Sequence, residues 1–495
     1  MYLLGLDIGS SSVKAALVEV GVNNQSWVVQ SPESEMKILS PKIGWAEQQP
    51  EAWWENVCLA TRRLLHQSKV DPADIKGIGI SYQMHGLVIV DDHLEVLRPS
   101  IIWCDGRAVE IGNQAFDRIG HKNCLSRLLN APGNFTASKL KWVQENETAV
   151  YDRIYKMMLP GDYIAMKLTG SLFTTPSGLS EGILWDFNDN RPADLILDHF
   201  TIDQKLIPEI TSSFSQQGIL TKHAAQSTGL VEGTPVTYRA GDQPNNALSL
   251  NVLEPGEVAA SGGTSGVVYG VVDKPVFDQH SRVNGFAHVN HTAENPKIGI
   301  LLCINGAGIQ YAWVRQKMGL PGISYSEMES YAADIPIGSD QLRMLPFGNG
   351  AERMLGNKNV GARALNLQFN RHSRAHFYRA ALEGIAYSFV YGVNILKEMG
   401  LTVEVMRVGN DNLFRSNIFS KTISNLVDCR IEMIETTGAI GAAKAAGVAA
   451  GIFSTIKEAV GGIEVIKIYE PNDTTGNYQK HYRLWETDLL NVLSR

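Results

Sequence analysis

Little in these 495 residues suits secretion, a membrane or nucleic acid. Cysteine is scarce. The five residues, Cys58, Cys104, Cys124, Cys303 and Cys429, are odd in number and never in a C-x-x-C spacing, which speaks against a disulfide framework and for free thiols in a reducing compartment. A basic excess is also lacking. With 44 Lys and Arg against 51 Asp and Glu, the formal net charge of −7 argues against nucleic acid or an anionic membrane as partner. The longest run of small and apolar residues, 438–453, carries Lys444 and is too short to cross a bilayer; its Gly and Ala spacing suits a helix packed closely on a sheet. No basic segment precedes an apolar core at the N-terminus, so a cytoplasmic protein is expected.

Several catalytic signatures are missing as well. There is no G-x-x-x-x-G-K-[ST], no third glycine after Gly77-Ile78-Gly79 or Gly306-Ala307-Gly308, and no G-x-S-x-G elbow. His372 and His376 stand four apart on an expected helix, but without a Glu after the first or a third ligand they do not make a zinc site. No helix-turn-helix segment of the kind a repressor needs is evident.

What is present is a pair of turns some 250 residues apart. The first, Asp7-Ile8-Gly9-Ser10-Ser11-Ser12-Val13, joins apolar runs 2–6 and 14–20; the second, Ser261-Gly262-Gly263-Thr264-Ser265-Gly266-Val267, joins 257–260 and 268–272. Turns rich in Gly, Ser and Thr between β-type runs expose N–H groups and hydroxyls that suit phosphate oxygens. Asp7 in one copy is replaced by Ser261 in the other. One turn can therefore hold a cation beside the phosphates, while the other only donates hydrogen bonds.

The organisation around the turns repeats too. Strands at 2–6, 13–20 and near Val28 precede a helix over 51–67, whose Trp54, Val57, Thr61, Leu64 and Leu65 share one face, and a strand at 75–81. A hairpin-like 87–90 and an apolar 101–103 follow, and 130–235 reads as lid and insertion. The second copy opens at 257 and recurs to 405–408, with helices at 376–397 and 416–426. Antiparallel strands, a helix and a further strand form a ribonuclease-H-like unit, so the expected fold class is α/β, two actin-like ATPase domains around a central cleft, with domains 1–250 and 251–495.

Phosphoryl transfer needs phosphate grips, a metal and a carboxylate to take the acceptor's proton. Asp242 is the candidate base: 235–240 reads as a strand, Gly241-Asp242-Gln243 as its closing turn, and 244–253 as a helix that begins at Pro.

These residues carry a resemblance to the FGGY family of carbohydrate kinases, which extends over nearly the whole chain. Besides both turns and Gly241-Asp242, it rests on Trp45-Ala46-Glu47-Gln48, Gln83-Met84-His85-Gly86, Trp103-Cys104-Asp105-Gly106-Arg107, the run Phe135 to Val143, and Ala381-Leu382-Glu383-Gly384. Within the family the motifs are most similar to those of members acting on D-xylulose. The resemblance implies Asp242 as catalytic base and Asp7 as the acid near Mg²⁺ and phosphate. It implies Ser10, Ser11, Lys14, Gly263, Thr264, Gly409 and Asn410 for the nucleotide, and Met84, His85, Asp242 and Gln243 for the sugar. Trp103 reads equally as core packing or as a cleft contact. The implied cofactors are ATP and Mg²⁺, and the implied partners are the small-molecule sugar and ATP alone, with a homodimer left open.

Three departures from the family's pattern stand out, the first two bearing on nucleotide preference and sugar and the third on local turns. Gly409-Asn410-Asp411-Asn412 stands where Gly-Gly-Gly is usual before the adenine-facing helix, Gln243 follows the base where Asn is usual, and Asn366 and Asn134 replace small residues. The expectation is an ATP-dependent kinase of a ketose's terminal hydroxyl, D-xylulose giving D-xylulose 5-phosphate. Sedoheptulose, ribulose or gluconate are the alternatives within the family. A catalytically silent sugar sensor is the alternative outside it.

Overall fold

In the computed structural model, which describes residues 1–21 and 25–494, the chain builds two mixed sheets. The first takes β1 (Tyr2–Ile8), β2 (Val13–Glu19) and β3 (Ser26–Ser31) as an antiparallel meander, then passes through α1 (Pro50–Ser68) to β4 (Ile75–Tyr82). After an insertion that holds α2 (Thr136–Asn146) and α3 (Pro176–Glu181), β5 (Val236–Gly241) completes the order β5-β4-β1-β2-β3, with β4 parallel to β1 and β5 parallel to β4, each pairing interrupted by a register shift near its start.

The second sheet follows α4 (Asp242–Ser249) and contains β6 (Glu257–Gly262), β7 (Gly266–Val272), β8 (Asn284–Ala287) and β9 (Ile298–Ile304). Beyond α5 (Gly308–Met318) and the buried α6 (Arg374–Glu398) come β10 (Val405–Gly409), α7 (Asn417–Val427) and β11 (Arg430–Ile434). Helix α8 (Gly438–Ala449) and β12 (Val465–Tyr469) close it in the order β8-β9-β7-β6-β10-β11-β12. Its inner five strands, β9-β7-β6-β10-β11, repeat the connectivity of β3-β2-β1-β4-β5, with a strand added at each edge. The duplication expected from the turns is present in the topology.

Strands β1 and β4 are apolar on both faces because both faces are covered. Helix α1 buries Trp53, Val57, Ala60 and Leu64 on one side. The other side is covered by α8, a helix that lies in the chain between two strands of the second sheet. Its Ala-rich face sits so close that a methyl at Gly5 would collide with the Ala439 carbonyl, and one at Gly79 with that of Ala442. Thr237 Oγ1 donates to the Ala446 carbonyl at 2.8 Å, and Asn245 Nδ2 to that of Gly438 at 2.9 Å. The close helix-on-sheet packing expected of 438–453 is therefore present, and it crosses from one half of the chain to the other. Helix α4 reciprocates by packing on α8, β6 and β7.

The hairpin-like turn after 87–90 is present, with Leu97 N–H on the Ile89 carbonyl and Leu87 N–H on that of Ile101, each at 3.0 Å; Val88–Val90 pairs in addition with Lys156–Met158, and Ser100–Ile101 with Glu47–Gln48. Some local expectations shift. The helix after β5 begins at Asp242, not at Pro244, since Pro is tolerated anywhere in a first turn where N–H groups lack partners. His372 precedes α6, whose N-cap is Ser373; it caps the loop through the Asp340 carbonyl, while His376 pairs with the Asp340 carboxylate. All five cysteines stand unpaired.

Candidate active site

The two turns face each other across one cavity of about 240 Å³, whose walls include Asp7, Lys14, Gln243, Ser261, Gly409 and Gly438. Residues distant in sequence thus converge at the closing ends of β1, β5, β6 and β10. The first turn is held by Gly9 N–H on the Ser12 carbonyl at 3.0 Å. It is braced from outside by Gln48 Nε2, which donates to the Ser10 carbonyl at 2.7 Å, while Gln48 Oε1 accepts from Trp53 and Gln83. Ser10 is half-buried and Ser11 exposed. The second turn is stacked on α5: Gly308 N–H donates to the Gly263 carbonyl at 3.0 Å and Ile309 N–H to that of Thr264 at 3.1 Å. The Thr264 side chain is exposed.

Asp7 accepts from Ser81 Oγ at 2.8 Å through one oxygen. Its other oxygen and Asn246 Oδ1 both lie against Gly438, 2.8 and 2.9 Å from where a methyl there would stand. Two side-chain oxygens thus converge at the start of α8. Burial raises the affinity of the Asp7 carboxyl for its proton, while Ser81 and Lys14 work in the opposite sense. Among the described residues no cluster of three or more His, Cys, Asp or Glu is placed to hold a metal. One carboxylate with a neighbouring amide oxygen is what Mg²⁺ takes when phosphates and water supply the rest of its shell, so the residues present fit that ion.

Asp242 opens α4, where β5 ends. Burial, with the Asp7 charge beside it, pushes its carboxyl up to about 7, and bonds from Gln243 oppose the shift. Gln243 itself lines the cavity with Asp7 and Lys14.

On the other side of Asp242 lie the expected sugar residues. Gly241, immediately before it, has no room for a side chain: a methyl would meet Met84 Cγ at 2.6 Å and clash with Glu181 Oε2. His85 is held in the left-handed region with φ 63° by the fold around it. Its Nδ1 lies 2.8 Å from the Glu181 carbonyl, and its ring packs edge-on against Phe135, 4.8 Å between centroids. A carbonyl only accepts, so Nδ1 carries the proton and Nε2 is left as an acceptor. Burial keeps this imidazole neutral, its proton affinity lowered to about 3. Trp103 is 53% exposed, which removes the core-packing reading for it.

Four residues at this site were given no role by the sequence. Glu181 ends α3 fully buried, with Oε1 unpartnered; burial and the Asp242 charge raise its carboxyl well above the ordinary range, which makes it a neutral acid. Lys139 on α2 is buried with Nζ on the His85 carbonyl at 2.7 Å, and desolvation lowers it to about 7. From the second half of the chain come Arg353, which opens a short 3-10 turn and is bonded to Asn284 Oδ1 at 2.6 Å, and Cys303, exposed near the end of β9. Only the run around Lys139 was noticed, and as a resemblance rather than as a charge.

Asn410 and its neighbours rebuild the turn after β10. Asn410 N–H donates to the Ile434 carbonyl at 3.0 Å and Nδ2 to Glu435 at 2.7 Å, while Asn412 takes φ 49°. Gly409 and Asp411 line the cavity. The side chains of this segment are therefore accommodated, and Asp411 adds a negative charge where a plain glycine turn has none.

The sequence model for the FGGY family of carbohydrate kinases matches at residues 2–249 with its N-terminal domain and at 258–450 with its C-terminal domain. The chain belongs to the FGGY family of carbohydrate kinases. It is an ATP-dependent sugar kinase. A xylulose kinase of Staphylococcus xylosus is 28% identical over 501 residues, which span 98% of this chain and 99% of that one. Among solved structures, a xyloylose kinase from Brucella ovis superposes with TM-score 0.89 at 24% identity, over 100% of both chains. A gluconate kinase from Lactobacillus acidophilus does so with TM-score 0.89 at 22% identity, over 99% of this chain and 98% of that one. The fold of this FGGY kinase is thus shared with proteins acting on different sugars, and its substrate has to be argued from the cleft.

Other residues that carry the resemblance act on structure. Glu383 accepts from Gly338 N–H and Ser339 Oγ, each at 3.0 Å, and pairs with Arg379 at 2.7 Å. Arg107 stacks 3.8 Å over Trp45 and pairs with Asp105 and Glu47. Asn366 stands at φ 59°, a conformation Asn tolerates better than most side chains, so replacing Gly there alters a turn alone.

Proposed function

We propose that this kinase transfers the γ-phosphoryl group of ATP to the terminal hydroxyl of a ketose, with D-xylulose as the preferred sugar and D-xylulose 5-phosphate as the product. The observation that carries this reading is the position of Asp242. It stands between the two-turn cavity and the His85 pocket, half-buried, with a proton affinity near neutrality. A base poised there is ionised above pH 7 yet basic enough to draw a hydroxyl proton as the phosphorus–oxygen bond forms.

In this reading Ser10, Ser11, Lys14, Gly263 and Thr264 grip the phosphates, and Gly409 and Asn410 border the nucleoside. Asp7 is the carboxylate for Mg²⁺, which when bound neutralises phosphate charge. Met84, His85 and Gln243 place the sugar so that its terminal hydroxyl meets Asp242. Substrate preference for xylulose is supported by the relatives at 28% identity and by a His85 pocket that contains both an acceptor and nearby cations. A coupled ADP-release assay over D-xylulose, D-ribulose, sedoheptulose, D-gluconate and glycerol tests it. The reading predicts the highest kcat/KM with D-xylulose; a higher value with any of the others would sink it.

A further inference from the structure

The surroundings of His85 come from both halves of the chain, Phe135 from the first and Phe286 from the second, and near it lies a guanidinium, Arg353, with no carboxylate partner among the described residues. Arg353 is fixed from two sides. Asn284 Oδ1 at the start of β8 takes its Nη1 at 2.6 Å, and the adjacent Glu352 anchors the segment through Asn305 and Gly306 N–H, each at 3.0 Å. Two residues after Asn284, Phe286 packs against the His85 ring, 5.4 Å between centroids. Arg353 is close enough to His85 for its charge to oppose protonation there, and Cys303 beside it senses both Arg353 and Asp242. Both His85 and Arg353 remain partly exposed, so each has atoms that a ligand can reach.

The donor and acceptor roles of the two are fixed. Nδ1 of His85 is committed to the Glu181 carbonyl, which leaves Nε2 able only to accept; a guanidinium can only donate. A ligand that satisfies both needs a hydroxyl on the His85 side and an oxygen with free lone pairs on the Arg353 side. An α-hydroxy ketone presents that pair on neighbouring carbons. We propose that Arg353 is a specificity-determining residue that hydrogen-bonds the carbonyl oxygen of an open-chain ketose, while His85 accepts from a hydroxyl next to it. The inference rests on the ketose-kinase reading above and adds the residue that separates ketoses from polyols. A hydroxyl can replace the carbonyl as acceptor, but it brings a tetrahedral carbon and a donor that faces the guanidinium, so polyols bind less well.

The test compares D-xylulose with xylitol, the same chain with the carbonyl reduced, in wild type and in Arg353→Met and Arg353→Lys. Losing a charge-assisted hydrogen bond should cost D-xylulose roughly 10–10²-fold in kcat/KM in Arg353→Met, mostly through KM, while costing xylitol less than about threefold. Arg353→Lys should recover part of the loss for D-xylulose. Thermal unfolding and ATP affinity of each variant show whether the fold and the nucleotide side are intact. Equal losses for both substrates in a folded variant, or no loss for either, would overturn the inference and leave the ketose-kinase reading standing. A wild type that phosphorylates neither D-xylulose nor another ketose would instead remove that reading, and this inference with it. If D-gluconate were preferred and Arg353→Met abolished that preference, Arg353 would be a carboxylate site and the carbonyl assignment would be wrong.

Discussion

Asp7 and Ser261 occupy one position in two copies of the same strand pair. Asp7 on β1 stands opposite Lys14 on β2, and Ser261 on β6 opposite Val267 on β7. A carboxylate and an ammonium in one copy are a hydroxyl and an alkyl group in the other, and both copies line the same cavity. If Asp7 serves the metal, Asp7→Asn should raise the Mg²⁺ concentration needed for half-maximal activity by about tenfold or more, because Mg²⁺ depends strongly on carboxylate ligands. Ser261→Ala should change it little. Titration of Mg²⁺ at fixed ATP checks both, and equal effects would refute the asymmetry.

For Asp242 the expectation concerns both rate and pH. Asp242→Ala should lower kcat by roughly 10²–10⁴, the range for a removed general base, with sugar affinity partly retained. The sign of the pH effect follows from the raised affinity of about 7. Below that value the carboxyl holds its proton and cannot accept another, so wild-type kcat/KM should fall as pH drops through about 7, with a plateau above. A pH–rate profile whose acid limb lies near the ordinary carboxylate range would show that burial does not act on the base in this way.

Stability should depend on the contact between α8 and the first sheet. Gly79 lies under the Ala442 carbonyl with no space for a methyl, and both partners are backbone, which cannot rotate away. Gly79→Ala should therefore cost at least the roughly 1–3 kcal/mol typical of overpacking. Gly233→Ala, at a position with open space but φ 88°, should cost through backbone strain alone. Urea unfolding of the two variants compares them; a Gly79→Ala protein as stable as the wild type would mean that the helix is not seated as described.

Much of the fold was legible because its signals are local. Alternating and continuous apolar runs mark β1, β4 and β5, and α1 is expected at 51–67 and found at Pro50–Ser68. The paired turns were readable because two copies reinforce each other, although their loops differ in length: Ile8 pairs with Val13 but Gly262 with Gly266, so the copies fall out of step after Gly263. What could not be read is whatever depends on packing between distant segments. Helix α8 lies between β11 and β12 of the second sheet yet covers the first, and no periodicity says which sheet a small-residue helix will choose. Glu181 and Arg353 looked like ordinary charges because their meaning comes from the groups that face them: His85 Nδ1 and Gly241 for one, Asn284 and His85 for the other.

Closure of the cleft on sugar is the remaining expectation. Transfer to a hydroxyl competes with transfer to water, so a kinase gains by narrowing the cleft once sugar is bound. Residues 251–256, in the connection from α4 to β6, are the expected hinge. It contains Asn251 at φ 55° and Gly256 at φ 91°, and it is strapped by Glu257, whose carboxylate accepts from Leu253 N–H at 2.8 Å and Glu254 N–H at 3.0 Å. Because α8 is seated on the first sheet, the moving part would be the second sheet with α5, α6 and α7, turning about 251–256, the short link 435–437 from β11 to α8 and the return segment 450–464 from α8 to β12. Small-angle scattering should then show a smaller radius of gyration with D-xylulose and a nonhydrolysable ATP analogue than with the analogue alone. Arg407→Met removes the ion pair with Glu257, at 2.9 Å, and loosens the strap; it should raise KM for the sugar more than it lowers kcat. An unchanged radius with both ligands bound would leave the cleft rigid and refute the hinge.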